Sequence, residues 1–357
     1  MKTRLFALSV LSAASCAAQA QSTVTLYGVV DSYVELASAG NGNVTRVSSG
    51  GTAGSRFGFR GSEDLGNGLK ANYTLEAGTL VDTGAGTGAP TYMFQRQAFV
   101  GLSGGFGSIN LGRQYTPHFL TMAGFDPTGF TMSGALNYYA GPGPGGINGG
   151  SPADSTTRRD NSIQYTTPVF NGFKANVFMG FGESTAQPKS TGNSLNLAGQ
   201  YNSKTLSAQI SYLTIKTAYL LPINNTDKYT AIAASYDFGV VKPSAIFVRR
   251  RGDAAGAPSL DAWQMGASAP MGVGKLIATY GQLKNKTAAD ADSQAIGVRY
   301  DYPLSKRTTV YGGITKIRNE ANASYTISGG GGSSAGLALS SVGTDPRSMY
   351  AGITHVF

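Results

Sequence analysis

Leu69-Lys70-Ala71-Asn72-Tyr73-Thr74-Leu75-Glu76-Ala77 alternates without a break. Leu69, Ala71, Tyr73, Leu75 and Ala77 fall on one face of an extended chain. Lys70, Asn72, Thr74 and Glu76 fall on the other. Period two of this kind marks a strand with one face in an apolar medium and one in a polar medium. Thr205 to Tyr212 repeats the pattern, with Leu206, Ala208, Ile210 and Tyr212 against Ser207, Gln209 and Ser211. Ser293 to Tyr302 repeats it again, setting Ile296, Val298, Tyr300 and Tyr302 against Gly297, Arg299 and Asp301.

Outward from these segments the chain runs strand, short turn, strand, longer polar loop. Tight turns fall at 64–68, 104–107, 169–172, 203–204, 238–239, 270–274 and 303–306. Longer connections fall near 37–51, 82–91, 116–157, 184–193, 217–227, 252–258, 285–292 and 319–346. The strands between them number sixteen. Each has about ten residues, the length of a tilted membrane-spanning strand. An even set of antiparallel strands, with short turns on one rim and long loops on the other, is the pattern of an outer-membrane β-barrel. Lipid leaves no water for unpaired backbone groups, so the sheet must close. The last strand, Arg347 to Phe357, is therefore expected to pair with the first, Ser22 to Leu36. Phe357, the final residue, shares a face with Met349, Ala351, Ile353 and His355, and is expected at the lipid interface as an assembly element.

Composition agrees. Gly makes up 50 of 357 residues and Tyr plus Phe 35, while only 13% are charged, which favours an all-β chain over a helical enzyme or a disordered tail. Lys2, Arg4, the apolar run Leu5–Leu11 and the A-x-A site Ala18-Gln19-Ala20 predict a signal peptide over 1–20, cleaved between Ala20 and Gln21, and a barrel domain over 21–357. A lipoprotein reading of Cys16 is disfavoured by Ala13 three residues before it. Cleavage removes two of the 28 basic residues and none of the 19 acids, leaving a net +7. It also removes the one cysteine, and with it thiol chemistry and disulfides.

Several motifs resemble the proteobacterial general porins. They are Val24-Thr25-Leu26-Tyr27-Gly28-Val29-Val30-Asp31, the run Ser55-Arg56-Phe57-Gly58-Phe59-Arg60-Gly61-Ser62-Glu63-Asp64-Leu65-Gly66-Asn67-Gly68-Leu69, Arg96 to Leu102, Leu111 to Gln114, Arg158 to Tyr165 and Leu304 to Thr308. The resemblance spans the chain after residue 20. It implies a homotrimeric diffusion channel whose third long loop folds inward. Its implied partners are the lipid bilayer, lipopolysaccharide, the barrel assembly machinery, and small hydrophilic solutes and ions. No cofactor, metal or nucleic acid is expected. Two departures stand out. Thr354 occupies a position that is often basic in relatives, and the loop offers only Asp126 and Asp154 where many relatives are clearly acidic.

That loop spans Arg113 to Arg159, about forty residues without a period, a length that is usually functional. Selectivity in a pore comes from charged side chains at its narrowest section. Arg56 shares the polar face with Gly58 and Arg60. By resemblance Arg56, Arg113 and Arg158 form a basic wall. Arg158 shares parity with Ser162 and Gln164; Arg159 does not. Arg113 shares parity with apolar Leu111, so reaching the lumen requires a bulge at Gly112. Arg96, with the parity of Ala98 and Val100, is a further candidate. Glu76 is the expected lumen acid, and Asp126, Phe125 and Phe130 the loop's contribution. Arg60 and Arg249-Arg250-Arg251 read as rim salt bridges.

The remaining signals are weak. Arg251-Gly252-Asp253 reads as a surface turn. The sequons at Asn43 and Asn322 have no reason to be used. Two histidines, His118 and His355, give little support to a catalytic triad or a multi-histidine metal site. The function expected is passive diffusion with weak anion preference, without catalysis. The alternatives are an outer-membrane barrel enzyme and a secreted β-sandwich binding protein.

Overall fold

The computed structural model describes residues 23–40, 42–87, 93–140, 146–148, 156–185, 189–218, 224–330 and 336–357. The cleavage site at Ala20 and Gln21, and Asp154, lie outside them. The strands are β1 (Thr23–Ser38), β2 (Asn43–Ser49), β3 (Arg56–Gly66), β4 (Leu69–Gly78), β5 (Gln97–Gly104), β6 (Gly107–Tyr115), β7 (Arg158–Thr166), β8 (Phe173–Gly180) and β9 (Ser194–Asn202). They continue as β10 (Leu206–Ala218), β11 (Asn224–Tyr236), β12 (Lys242–Arg251), β13 (Ser259–Met271), β14 (Gly274–Asn285), β15 (Ser293–Pro303), β16 (Thr308–Asn319) and β17 (Arg347–Val356). Each pairs antiparallel with its neighbours, and β17 returns to β1 from Val29↔Val356 to Ser38↔Arg347. Phe357 extends the seam by exchanging backbone hydrogen bonds with Gly28 in both directions.

Seventeen segments make sixteen barrel strands, because β2 and β3 are two halves of the second strand, both paired with β1. This corrects the expected long connection near 37–51. β1 turns into β2 through 39–42, and the irregular stretch is 50–55, which breaks the strand. Ser32 pairs with Ser49 and Val29 with Arg56, so six residues stand opposite two. The excursion is held by Asp31, which is fully buried. Its carboxylate accepts hydrogen bonds from the N–H groups of Gly51 (2.7 Å), Thr52 (2.9 Å) and Ala53 (3.2 Å), and from the hydroxyls of Thr52 and Tyr311 (2.6 Å). Successive backbone N–H groups around one anion offset the cost of burying its charge.

Outward positions of the strands carry exposed apolar side chains such as Leu26, Ile210, Ile232, Met265 and Ile314. No helix among the described residues is long and apolar enough to cross a membrane; the strands cross it.

The hydrophobic core lies inside the barrel. The long loop between β6 and β7 forms two short helices, α1 (Pro117–Phe125) and α2 (Ala135–Tyr139). Thr116 caps α1, its hydroxyl accepting the Phe119 N–H at 3.1 Å, and Pro117 opens the first turn, where no N–H is needed. Met122, Met132, Leu136 and Ile147 are fully buried against Ala231, Ala233, Ile246, Val248, Leu260, Ala262 and Leu283. Each such large side chain contributes roughly 1.5–3 kcal/mol. Along β11–β14 the inward face is thus apolar too, because the loop and not water covers it.

Candidate functional site

The loop is seated on one side of the lumen, against β9–β15. Helix α1 packs on β9–β12 and α2 on β13–β15. Three wall glycines make room for it. A Cβ on Gly266 would lie 2.7 Å from Pro127 Cγ, on Gly281 2.7 Å from Ala135 Cβ, and on Gly297 2.5 Å from Ser133 Cα. Two buried wall arginines fasten the loop backbone. Arg299 donates to Thr131 Oγ1 (3.0 Å) and Met132 O (3.2 Å) while paired with Asp301. Arg250 donates to Gly146 O (2.7 Å) while paired with Asp227 (2.7 Å). The tip is tightly wound, with Phe130 and Ser133 in left-handed conformation (φ 62° and 69°). Such residues persist only where surroundings hold them. Met132 N–H donates to Gly51 O, tying the tip to the excursion of the second strand.

The wall opposite carries the charged groups. Tyr27↔Gly58 and Gly58↔Glu76 are register pairs on the inward face. Glu76, 4% exposed, receives Arg96 Nε at 2.8 Å, Arg56 Nε at 3.4 Å and the Tyr27 hydroxyl at 3.1 Å. Arg96 also donates to the Tyr115 hydroxyl (2.7 Å), as does Arg158 (2.5 Å), whose guanidinium lies 4.1 Å over the Tyr115 ring. Tyr115 in turn stacks on Phe119 of α1, centroids 5.3 Å apart. One connected row therefore runs Arg56–Glu76–Arg96–Tyr115–Arg158, three cations to one carboxylate. Arg56 is the more open to water of the two that hold Glu76, its side chain 28% exposed against 7% for Arg96. Arg56 also donates to Gly54 O (2.8 Å), so the excursion that Asp31 holds positions it.

Arg96 joins this row because it precedes β5. Its N–H already donates to Glu76 O, but it stands outside the alternation that Gln97 begins. Arg113 departs from the sequence expectation. The register row Leu26–Phe59–Leu75–Ala98–Arg113 is outward, as the exposure of Leu26 and Phe59 shows. A bulge does occur, with Gly112 at φ 128° and the register shifting before Gln114. It leaves Arg113 opposite Ala98, donating to Gln95 O (2.6 Å) and Asp160 (2.5 Å), and near enough to Arg158 for the two cations to repel. Arg159 is buried and donates to Gly192 O.

The three loop residues singled out from the sequence turn toward the wall. Phe125 and Phe130 are 6% and 4% exposed and belong to the core cluster. Asp126 is 5% exposed, and its Oδ1 accepts from Thr128 N (2.9 Å) and Oγ1 (2.8 Å). Burial raises its pKa above the usual carboxylate range, against the lowering effect of Thr128 and Arg299. The expectation that Phe125, Phe130 and Asp126 are the loop's contribution to the pore is therefore corrected: the two rings are spent on packing and the carboxyl is buried. Of the arginines expected in rim salt bridges, Arg249 and Arg251 pair with Asp261, Arg250 is the buried loop anchor, and Arg60 lies 5.0 Å over the Tyr27 ring. His118 is fully buried in α1 beside Tyr229 (5.8 Å), and burial lowers its pKa to about 3.

Sequence reasoning missed Tyr115, Asp31, Arg299 and the inward aim of Arg250. Alternation carried the signal for Arg250, since flanking Arg249 and Arg251 point outward.

Comparison with known proteins gives a consistent result. The family described as Gram-negative porin matches residues 7–322. Outer membrane porin protein 32 of Delftia acidovorans is 34% identical, over 100% of both chains. An outer membrane porin protein of Bordetella pertussis is 29% identical over 87% of this chain and 93% of its own. The solved anion-selective porin from Comamonas acidovorans superposes with a TM-score of 0.83 at 30% identity, covering 94% of this chain and 100% of that one.

Proposed function

The chain belongs to the Gram-negative porin family and forms an outer-membrane channel, and we propose that its eyelet gives that channel a weak to moderate anion preference. The observation that carries the proposal is the charge of the narrow section. Arg56 and Arg96 meet one carboxylate, Glu76, Arg158 joins them through Tyr115, and Asp126, the loop acid among the described residues, is turned into the wall. A fixed positive excess raises local anion concentration and repels cations, an effect that salt screens. The relative titled as an anion-selective porin makes the same preference reasonable here.

The transported class is small hydrophilic solutes and ions moving down their gradients, without covalent chemistry. The working form in this proposal is a homotrimer, exported with residues 1–20 as a signal peptide removed after Ala20. Phe357, joined to Gly28 across the seam, serves barrel assembly. Reversal potential across a planar bilayer under a salt gradient tests the selectivity. A potential of anion sign is expected; a clear cation sign refutes the assignment.

A further inference from the structure

Under the constriction loop the barrel wall carries a recess that the eyelet does not use. Its volume is about 370 Å³, inside the ~300–1,000 Å³ range of small-molecule pockets. Helix α1 forms its roof. Pro117, Leu120 and Gly124, spaced i, i+3, i+7, share one face of that helix and line the recess together. Leu120 is apolar and exposed, whereas Met122 on the opposite side of α1 is fully buried in the core. A Cβ on Gly124 would meet nothing within 4 Å, so the roof leaves open room at that point.

The walls are the inward faces of β7–β12. Lys174 pairs in register with Gln200, and Gln200 with Gln209, so one cation and two amides stand side by side across three strands. One inward step along the same strands, Asn202 pairs with Ser207 and Ser207 with Ser235, adding an amide and two hydroxyls. Lys242 lines the far side from the start of β12. Among the described residues, the side chains of Lys174, Lys242, Gln200, Asn202, Ser207 and Ser235 make no hydrogen bond or ion pair, and no carboxylate lines the recess.

The strand ends fix its height. β7 ends at Thr166 and β8 begins at Phe173; β9 ends at Asn202 and β10 begins at Leu206; β11 ends at Tyr236 and β12 begins at Lys242. These short turns belong to the periplasmic rim of an outer-membrane barrel. The recess lies between that rim and α1, so a solute entering from the long-loop side reaches it after the constriction.

We propose that this recess binds an acidic monosaccharide, a polyhydroxylated carboxylate of the aldonate or uronate class. Two ammonium groups on a wall without acid supply charge-assisted hydrogen bonds to the carboxylate. The amides and hydroxyls both donate and accept, as sugar hydroxyls do. Leu120 offers an apolar contact to the C–H face. A simple anion would leave the amides unused, and a neutral sugar would leave the ammonium groups unused. The inference rests on the channel reading, but not on the sign of the ion preference set around Arg56.

The test uses the whole refolded chain and three probes, gluconate, glucose and acetate, with dissociation constants from ligand-observed NMR titration. Channel conductance is recorded on the same preparations. The proteins are the wild type, K174Q/K242Q, the charge-retaining K174R/K242R, and Gly124→Leu, which fills the recess and leaves every eyelet charge in place. An exposed ion pair is worth up to about fivefold in binding, so K174Q/K242Q should bind gluconate on the order of tenfold more weakly. K174R/K242R should stay within a few-fold of the wild type, and Gly124→Leu should lose most of the binding. Each hydrogen bond is worth a few-fold as well, so glucose and acetate should each bind the wild type on the order of tenfold more weakly than gluconate. Equal binding of acetate or of glucose, no binding of gluconate, or undiminished gluconate binding in K174Q/K242Q or in Gly124→Leu overturns the proposal. Absence of channels in the wild type overturns instead the reading it rests on.

Discussion

Arg56→Glu reverses one of the three positive charges at the eyelet. With Arg96, Arg158 and Glu76 unchanged, the hydrogen-bonded row goes from an excess of two positive charges to none. A unit charge about 5 Å from a passing ion in water acts with roughly 0.8 kcal/mol, reduced by screening in 0.1 M salt to about 0.5 kcal/mol. Because the field helps anions and hinders cations equally, each unit changes the anion-to-cation ratio about fivefold. The two units lost here give roughly twenty- to thirtyfold. At 1 M salt the Debye length of about 3 Å cuts the effect to near threefold. The assay is reversal potential at the two salt concentrations, with Arg56→Gln expected midway. Arg96 keeps Glu76 paired at 2.8 Å, so the variant retains a wall ion pair and should give normal conductance steps. An unchanged reversal potential at 0.1 M salt, with channels present, refutes the placement of Arg56 on the ion path.

Two further outcomes follow from the loop. His118 has a pKa of about 3 when α1 is docked, against 6.5 when it is not. The undocked loop binds more protons between those values, so docking is at full strength above pH 6.5 and weakens as pH falls, by about 2–3 kcal/mol at pH 4.5; the drop in thermal midpoint between pH 7.5 and 4.5 should shrink in His118→Phe, and an equal drop in both proteins counts against it. Gly297→Val would place a Cβ 2.5 Å from Ser133 Cα, pushing the loop off the wall and into the lumen; single-channel conductance should fall, and an unaltered step would show that the loop is not seated at Gly297.

Much of this architecture is legible in the sequence for a simple reason. Lipid on one side and water or loop on the other impose period two, and Leu69–Ala77 writes it plainly. Arg56 inherits its inward aim from the same parity. The rule fails where the backbone leaves the ladder. Arg96 lies just before β5, and parity alone sends it outward. Arg113 lies in a bulge whose existence is legible at Gly112, but whose effect on the side chain is not. The loop misleads for a different reason. Aromatic and acidic residues in an aperiodic stretch look like a pore lining, whereas Phe125, Phe130 and Asp126 meet partners on β11–β15 that are over a hundred residues distant in sequence. No local pattern encodes those contacts. The three glycines that receive the loop, Gly266, Gly281 and Gly297, read in sequence as ordinary strand glycines.

The carboxylate of Asp31 also has a temporal meaning. Its donors come from residues 51–53, among the first to be made, and from Tyr311, among the last. That bond can form only once the C-terminal hairpin has come home beside the N-terminal strand. The excursion it organises carries Gly51, the acceptor for the tip of the constriction loop, and Gly54, the acceptor for Arg56. The platform beneath the constriction loop and Arg56 is thereby buttressed from the far end of the chain, across the closed seam.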